Sequence, residues 1–404
     1  MRDESNDFTH GKDVQVYVGD CVEALRTMPD ASVQMCVTSP PYWGLRDYGE
    51  EGQLGLEKTP EKYVMNLVKV FREVRRVLRD DGTLWLNLGD SYAGSGKGRN
   101  ADGSSASKPG SKQATNKGTT EGNLFKFTTE HKPKDLVGIP WMVAFALRSD
   151  GWWLRQDIIW SKPSCMPESV QDRCTKSHEY LFLLTKRKSY YYDAEAIKEP
   201  SLHTGKIVNP NGNLSGKYSD DGTPKKGFET HVTGMREVSR TRNKRSVWRV
   251  AIKPFSDAHF AVYPPELIEP CILAGTSERG CCEKCGGPWE RVMEKAGTVN
   301  QKWGKQSKVD ESRGDHADGS SIRTGDVNVY KMIGWQPTCT HDAPIVPCAV
   351  LDPFAGSGTT AGVAVKHGRK AILCELNPEY GALIPKRIEQ ISGHSATQKT
   401  LMDW

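Results

Sequence analysis

Four consecutive residues in the first part of the chain have the composition of a rigid loop rich in hydrogen-bond acceptors. Ser39-Pro40-Pro41-Tyr42 follows the short apolar run 33–37. Because proline restricts its own backbone and has no N–H, the Ser39 hydroxyl and the Pro40 carbonyl are predicted to be held as acceptors facing an amino group. The ring of Tyr42 offers a face on which an unstacked base can lie. Taken alone, the four residues are also compatible with a structural turn.

A second candidate site lies near the C-terminus, where glycines follow a short strand pattern. Residues 349–351 are apolar and lead into Asp-Pro-Phe-Ala-Gly-Ser-Gly-Thr-Thr at 352–360. Glycines at a strand-to-helix turn let a ligand approach the free amides of the helix N-terminus. The lysine of a triphosphate-binding loop is absent from this stretch. Glu375 ends the next predicted strand, where a carboxylate can accept hydrogen bonds from the ribose of an adenosine-containing cofactor or can be a surface residue.

Cysteine and histidine spacing predicts a metal site in a later, polar part of the chain. A Cys-x-x-Cys pair has the spacing of a zinc knuckle, and a Cys-x-His pair follows a long polar insert. The predicted structural zinc ligands are Cys282, Cys285, Cys339 and His341. Cys281 or Cys348 could take the place of one of these ligands. The alternative to metal binding is that the cysteines are free.

Basic residues concentrate in one segment of a chain whose net charge is only +5. A cluster of this kind can contact DNA phosphates or guanine edges, and a solvated charged loop is the alternative. The candidate nucleic-acid contacts are Arg236, Arg240, Arg242, Lys244 and Arg245, with Arg249 nearby.

The elements around these motifs alternate between strand and helix patterns. Residues 14–18, 33–37, 83–88 and 152–160 have strand patterns, whereas 21–28, 63–78 and 139–149 have helical spacing. The segment 179–185 followed by the tyrosines 190–192 looks like a strand hairpin. A second strand-helix-strand unit runs from 349 to 374, and a last helix begins at Pro378. This rhythm predicts an α/β fold with a parallel sheet and right-handed crossovers.

Composition favours a soluble, cytoplasmic protein without a membrane segment. No apolar run in the 404 residues approaches bilayer length, and the first residues are polar, without a signal peptide. The 11 cysteines are an odd number, which argues against a secreted disulfide framework. The predicted parts are a catalytic half at 12–193 with a flexible insert at 94–123, a target-recognition segment at 194–258, a cofactor half at 259–279 and 349–393, and a cysteine-bearing insert at 280–348.

Taken together, the motifs resemble those of the DNA amino-methyltransferases, the N4-cytosine and N6-adenine family. The loop at 39–42 precedes the loop at 352–360, an order that resembles the circularly permuted β group of this family. The resemblance implies a circularly permuted Rossmann-like S-adenosylmethionine-dependent methyltransferase with a mostly parallel sheet and inserted modules. Other segments that carry it are Asp20, Arg155–Pro163, His178–Tyr180, Lys186, Tyr190–Asp193 and His259–Pro264.

The resemblance also assigns roles to residues of this chain. Glu375 would hold the ribose of S-adenosylmethionine and Asp20 its adenine. The catalytic residues would be Ser39, Pro40, Pro41 and Tyr42. The cofactor-binding residues would be Asp20, Thr38, Asp352, Pro353, Phe354, Gly356, Ser357, Gly358, Thr359 and Glu375.

Ser39 favours N4 of cytosine as the target, since the family's Ser-Pro-Pro-Tyr form goes mostly with cytosine and its Asp-Pro-Pro-Tyr form mostly with adenine. The expected partner is double-stranded DNA, and a cognate restriction endonuclease is compatible with this expectation. N6-adenine methylation is the first alternative. Others are a catalytically silent DNA-binding module and methylation of a protein or RNA amide. C5-cytosine methylation would need a thiolate nucleophile, and Cys271 and Cys348 are better explained as structural.

Overall fold

The fold is seen in a computed structural model of the chain. It describes residues 8–10, 13–45, 48–93, 131–132, 134–165, 168, 170–200, 207–208, 236–237, 241–252, 262–303, 323–393 and 398–400. The predicted flexible insert at 94–123 lies outside these residues, as do Arg240 and the range 259–261.

The helices of the described residues are seven in number. They are α1 Cys21–Thr27, α2 Pro60–Val77, α3 Ile139–Ser149, α4 Pro265–Gly275, α5 Thr359–Lys366, α6 Pro378–Gly381 and α7 Ile384–Ser392. None of them is both long and apolar enough to cross a bilayer.

The strands fall into one large sheet and several two-stranded ladders. Those of the large sheet are β1 Phe8–His10, β2 Val14–Val18, β3 Val33–Thr38, β4 Leu78–Leu88, β5 Trp153–Ser161, β6 His178–Thr185, β11 Val247–Arg249, β16 Ala349–Asp352, β17 Lys370–Glu375 and β18 Gln398–Thr400. The others are β7 Glu199–Pro200, β8 Ile207–Val208, β9 Arg236–Glu237, β10 Thr241–Arg242, β12 Cys281–Cys282, β13 Trp289–Trp303, β14 Arg323–Pro337 and β15 Ile345–Val346.

The large sheet has the order β11-β5-β6-β4-β3-β16-β17-β2-β1-β18 and is parallel at its centre. The strands β4, β3, β16, β17 and β2 run in one direction, while β6 is antiparallel to both of its neighbours. The C-terminal strand β16 lies between β3 and β17, in the middle of the sheet. This order confirms the predicted α/β fold, with strands from the C-terminal part of the chain at the centre of the sheet.

Helices pack on both faces of the sheet. Successive strand residues point to opposite faces, and Cys36 belongs to the cluster formed with α1, α2 and α3, whereas Met35 approaches Gly275 of α4. All six residues of β3 are buried, as expected for a central parallel strand covered on both sides.

The longest helix, α2, shows how local sequence sets an element and its packing. Thr59 caps it by accepting a hydrogen bond from the amide of Lys62, and Pro60 takes the first turn, where its missing N–H costs nothing. Leu67 and Phe71 are fully buried on its inner face. Burial of each such side chain stabilises the fold by roughly 1.5–3 kcal/mol, so this stripe fixes the helix against the sheet.

Two features differ from the sequence-based expectation. The tyrosines 190–192 do not form a strand, and β6 instead pairs with β4 and β5, because its apolar run needs a neighbour on each side. The helix α2 begins at Pro60, before the predicted start at 63.

The chain forms two compact units. The first contains residues 1–196, 245–290 and 337–404, and the second contains 197–244 and 291–336. The predicted segments 194–258 and 280–348 therefore each contribute to both units, and 247–249 of the former is a strand of the large sheet. The roles assigned to these segments stay predictions.

Candidate active site

A cavity of about 460 Å³ opens where the central parallel strands end. Carboxyl ends of parallel strands share one edge of a sheet, so loops far apart in sequence meet there. The volume lies within the range of small-molecule and cofactor sites. Residues of both candidate motifs line the cavity: Gly19 and Asp20 after β2, Ser39–Tyr42 after β3, Pro353–Ser357 after β16, and Glu375 at the end of β17.

Glu375 connects the glycine loop to the turn before α6. Its Oε2 accepts a hydrogen bond of 2.7 Å from the amide of Gly356, and its Oε1 accepts one of 3.0 Å from the amide of Asn377. Burial raises the pKa of Glu375 to about 7, against the opposing effect of these amides. Each carboxylate oxygen has a second lone pair, so Glu375 can also accept hydroxyl hydrogens of a ligand.

Asp352 is a fully buried acceptor for four surrounding groups. Its Oδ1 accepts from the Thr38 hydroxyl at 2.6 Å and from the amide of Phe354 at 3.1 Å. Its Oδ2 accepts from the hydroxyls of Tyr263 at 2.8 Å and Thr360 at 2.5 Å. Burial raises the pKa of Asp352, and these hydrogen bonds partly offset the rise. The carboxylate thus ties the end of β3 to the glycine loop.

The glycine loop needs glycine at one position for two reasons. Gly358 has φ +86°, and a Cβ there would lie 2.8 Å from Cγ2 of Ile384. A side chain would therefore be strained in the backbone and would collide with α7. This close approach lets α5 begin directly behind the cavity wall.

Three predicted cofactor residues lie behind the cavity wall and not on it. Thr38, Asp352 and Gly358 are buried but are not among the lining residues, because the first two bond to each other and Gly358 packs against α7. The others line the cavity: Asp20, Pro353, Phe354, Gly356, Ser357, Thr359 and Glu375.

Asp20 lines the cavity from the N-terminus of α1. Its Oδ1 accepts hydrogen bonds from the amides of Val22 at 2.8 Å and Glu23 at 2.9 Å. The side chain therefore has a structural role as a helix cap beside any role toward a ligand.

The Tyr42 hydroxyl contacts two polar side chains at the carboxyl edge of the sheet. It donates to Oε2 of Glu179 at 2.7 Å and lies 3.1 Å from Oδ1 of Asn87. The Ser39 hydroxyl is 3.5 Å from the hydroxyl oxygen of Tyr42. Burial raises the pKa of Tyr42, and the adjacent Glu179 carboxylate raises it further, so the phenol stays protonated and donates.

The backbone of this loop is fixed from behind. The Pro41 carbonyl accepts a hydrogen bond of 2.8 Å from the Tyr63 hydroxyl on α2. A Cβ at position 89 would lie 2.5 Å from Cε2 of Tyr42, so Gly89 makes room for the ring. The loop is therefore preorganised, with Ser39 and Tyr42 presented to the cavity.

Glu179, Asn87 and Lys162 were missed as site residues by the sequence analysis. Lys162 forms an ion pair with Oε1 of Glu179, and its ammonium lies 4.2 Å from the centre of the Trp160 ring. These three residues and Trp160 line the same cavity as Tyr42. The available signal was a charged residue at the start of the apolar strand β6, in the segment His178–Tyr180 that carried the resemblance.

The candidate nucleic-acid residues have different surroundings. Arg242 is paired with Glu199 through a hydrogen bond of 2.9 Å, which occupies one of its donors. Lys244 is half-buried and Arg245 is exposed, just before β11. For Arg236 only the backbone is described, and Arg240 lies outside the described residues.

The four predicted metal ligands lie together. The ligand atoms of Cys282, Cys285, Cys339 and His341 are all within 4.8 Å of one another. By contrast, Cys271 and Cys348 are buried and do not line the cavity, as expected for structural cysteines.

Comparison with known proteins identifies the family. The family model described as "DNA methylase", for the N6- and N4-specific enzymes, matches residues 33–282 and 349–386. The chain belongs to this family. This DNA amino-methyltransferase is 38% identical over 374 residues to Type II methyltransferase M.Cfr9I of Citrobacter freundii, covering 93% of this chain and 87% of the relative. It is 36% identical over 374 residues to M.SmaI of Serratia marcescens, covering 93% and 90%.

The methyltransferase is also similar to solved structures. PvuII DNA methyltransferase, which is cytosine-N4-specific, aligns with a TM-score of 0.49 and 16% identity, covering 95% of this chain and 91% of that one. A likeness of this extent does not bear on the target base of the present chain. At the level of the family, the chain is a Type II DNA methyltransferase.

The cofactor of this DNA methyltransferase is S-adenosylmethionine, and the cavity fits it. Ser357 Oγ lies in the cavity wall, is buried, and has no hydrogen-bond partner among the described residues. Because buried polar groups are almost always hydrogen-bonded, this hydroxyl is suited to bind a polar atom of a ligand. The same cavity is lined by Glu375, an acceptor for hydroxyl groups, and by Thr359, the first residue of α5, whose N-terminus has no side-chain cap. Three aromatic side chains also line the cavity: Phe354, Tyr48 and Tyr380.

Proposed function

We propose that the chain methylates the exocyclic N4 of cytosine in duplex DNA. When bound, S-adenosylmethionine supplies an electrophilic methyl group that an amine nitrogen can attack directly. The chain's own contribution is to bind the flipped base against Tyr42 and to orient its amine with the Ser39 hydroxyl and the Pro40 carbonyl. No nucleophilic side chain is required for this chemistry.

The observation that carries the proposal is the position of Ser39. It lies in the wall of the same cavity as Glu375 and Ser357, so an amine held by Ser39 would share the cavity with the cofactor. Serine in place of aspartate at this position favours cytosine on the family resemblance. N6 of adenine is the alternative, since its amine could use the same acceptors.

Surface charge supports duplex DNA as the substrate. Arg245, two residues before the edge strand β11, and Arg249, the last residue of that strand, are both exposed, and contacts of such side chains with phosphates need no base-specific geometry. Trp248, between them, is buried and anchors the strand through a hydrogen bond to the Arg245 carbonyl. A cognate restriction endonuclease is compatible with such an enzyme.

A variant pair tests the role of the loop. We expect Ser39→Ala to lower transfer of labelled methyl groups to unmethylated genomic DNA by roughly 100-fold, the usual effect of removing one oriented polar contact to the reacting group. Binding of S-adenosylmethionine, measured by calorimetry, should be unchanged. The matched control is Ser32→Ala, which removes an exposed hydroxyl from a turn. Full transfer by Ser39→Ala would contradict the proposed role of the loop.

A further inference from the structure

Three thiols and one imidazole converge at a place remote from the active-site cavity. Cys282 lies at the end of β12 and Cys285 in the turn that follows, while Cys339 and His341 come after β14. Their ligand atoms are within 4.8 Å of one another, and Cys282 Sγ is 3.9 Å from Nδ1 of His341. None of the four lines the active-site cavity.

The spacing of these atoms matches a tetrahedral metal site. With Zn–S bonds of about 2.3 Å and Zn–N bonds of about 2.0–2.1 Å, ligands around zinc lie roughly 3.5–4 Å apart. Soft thiolate and imidazole ligands select zinc over hard cations. Four protein ligands leave no open coordination position, which is the arrangement of a structural site.

The turn between the first two ligands has the backbone of a metal-binding knuckle. The amide of Gly286, which has φ +67°, donates to the Cys282 carbonyl at 2.7 Å. The amide of Gly287 donates to Cys285 Sγ at 3.4 Å. The first bond closes the turn, and the second directs an amide hydrogen toward a sulfur atom, which stabilises a charged thiolate ligand.

We propose that Cys282, Cys285, Cys339 and His341 bind one structural Zn²⁺ that closes the base of the inserted segment. Besides the cluster, the described contacts that join the outgoing and returning chain are the pairing of β13 with β14, a hydrogen bond of 3.0 Å from the amide of Glu283 to the Pro344 carbonyl, hydrogen bonds from Thr338 to the Pro288 carbonyl, and the ladder of β12 with β15, which has only two residues on each strand. Such short ladders are weak by themselves. The metal adds a further cross-link between the outgoing and returning chain.

The same knuckle is attached to the start of the central strands. Gln34 of β3 donates through Nε2 to the Gly286 carbonyl at 3.1 Å and accepts at Oε1 from the amide of Ala349, the first residue of β16, at 2.6 Å. Arg79 of β4 donates to the Cys285 carbonyl. The metal therefore stabilises the amino-terminal edge of strands whose opposite ends form the active site.

The neighbouring cysteines are not substitute ligands. Cys281 Sγ is 3.5 Å from the Val346 carbonyl, and Cys348 Sγ is 3.9 Å from the Ser277 carbonyl. Both are buried and neither belongs to the cluster of ligand atoms, which favours Cys282, Cys285, Cys339 and His341 as the proposed ligands.

Metal analysis of the full-length protein tests this assignment. The protein purified from zinc-supplemented cells without chelators should contain about one zinc per chain by mass spectrometry, and its zinc absorption edge should show three sulfur ligands and one nitrogen. Cys285→Ser and His341→Ala should each lower the zinc content, whereas Cys174→Ser, which changes an exposed cysteine outside the cluster, should keep it.

The wild-type spectrum keeps the test decisive if a ligand variant fails to fold. Wild-type protein without zinc, a coordination shell of oxygen and nitrogen only, or iron in place of zinc would overturn the assignment. Zinc retained in full by both folded ligand variants would do the same.

Discussion

The Tyr42 hydroxyl, in the loop after β3, donates a 2.7 Å hydrogen bond to Oε2 of Glu179, the second residue of strand β6. Lys162 holds the other carboxylate oxygen of Glu179. The hydrogen bond and the ion pair together fix the position of the Tyr42 ring before a base binds. Preorganisation of this kind places the ring without a cost at the moment of reaction.

We expect loss of this contact to lower kcat and to leave cofactor binding unchanged. A hydrogen bond to a charged group contributes about 1.5–3 kcal/mol, so Tyr42→Phe or Glu179→Ala should lower kcat roughly 10- to 100-fold. Because the two side chains act through one contact, the double variant should be little worse than either single one. Additive losses in a double-mutant cycle would show that Glu179 acts independently of Tyr42.

We expect substitution of Asp352 to lower the stability of the fold strongly. Asp352→Ala leaves three hydroxyls and one amide without their acceptor, and each unsatisfied buried group costs about 1–3 kcal/mol. The free energy of unfolding should fall by at least about 3 kcal/mol in urea titrations. The control is Asp150→Ala, whose partner Arg72 is largely exposed, with an expected loss below about 1 kcal/mol. Equal losses in the two variants would contradict the buried role of Asp352.

The raised pKa of Glu375 predicts that cofactor affinity depends on pH. Its pKa in the free protein is raised to about 7 by burial, so the carboxyl group takes up a proton as the pH falls through this value. The family resemblance implies that Glu375 holds the ribose, and we infer that the ribose hydroxyls donate to its ionised form, so binding should weaken below pH 7 by at most about tenfold per pH unit. Calorimetry between pH 6 and 8 measures this. The Glu375→Gln variant should bind weakly with a flat profile, and an equally steep profile in that variant would assign the effect to another group.

We expect a side chain at position 358 to disturb the glycine loop. Gly358→Ala should lower both the melting temperature and cofactor affinity, because its Cβ would meet Ile384 at 2.8 Å in addition to the strain of φ +86°. Gly368→Ala is the matched control, since φ there is +67° but the space is open. Its loss should be limited to about 1 kcal/mol, the backbone effect alone. Similar losses in both variants would argue against the contact with α7.

Much of the fold was predictable because its signals are local. The alternating or continuous apolar runs of β2, β3 and β16 and the helical spacing of α2 and α3 each depend on nearby residues only. The glycine loop could likewise be placed at a strand-to-helix turn. The tyrosines 190–192 were misassigned because β-propensity does not reveal whether a neighbouring strand is available.

The candidate site was predicted only in part, since its polar contacts cross the sheet. Nothing near Tyr42 in sequence indicates that Glu179 and Asn87 will hold its hydroxyl. The burial of Asp352 and Thr38 behind the wall likewise depends on β16 lying beside β3. Such pairings are set by topology, which a motif does not encode.

The most direct measurement is the identity of the methylated nucleoside. Unmethylated genomic DNA would be incubated with the wild-type protein and isotopically labelled S-adenosylmethionine, digested to nucleosides and analysed by mass spectrometry, with the Ser39→Ala protein as the blank. We expect the label in N4-methyldeoxycytidine. Label in N6-methyldeoxyadenosine would contradict cytosine as the target, and label in C5-methyldeoxycytidine would contradict direct attack by an amine held at Ser39.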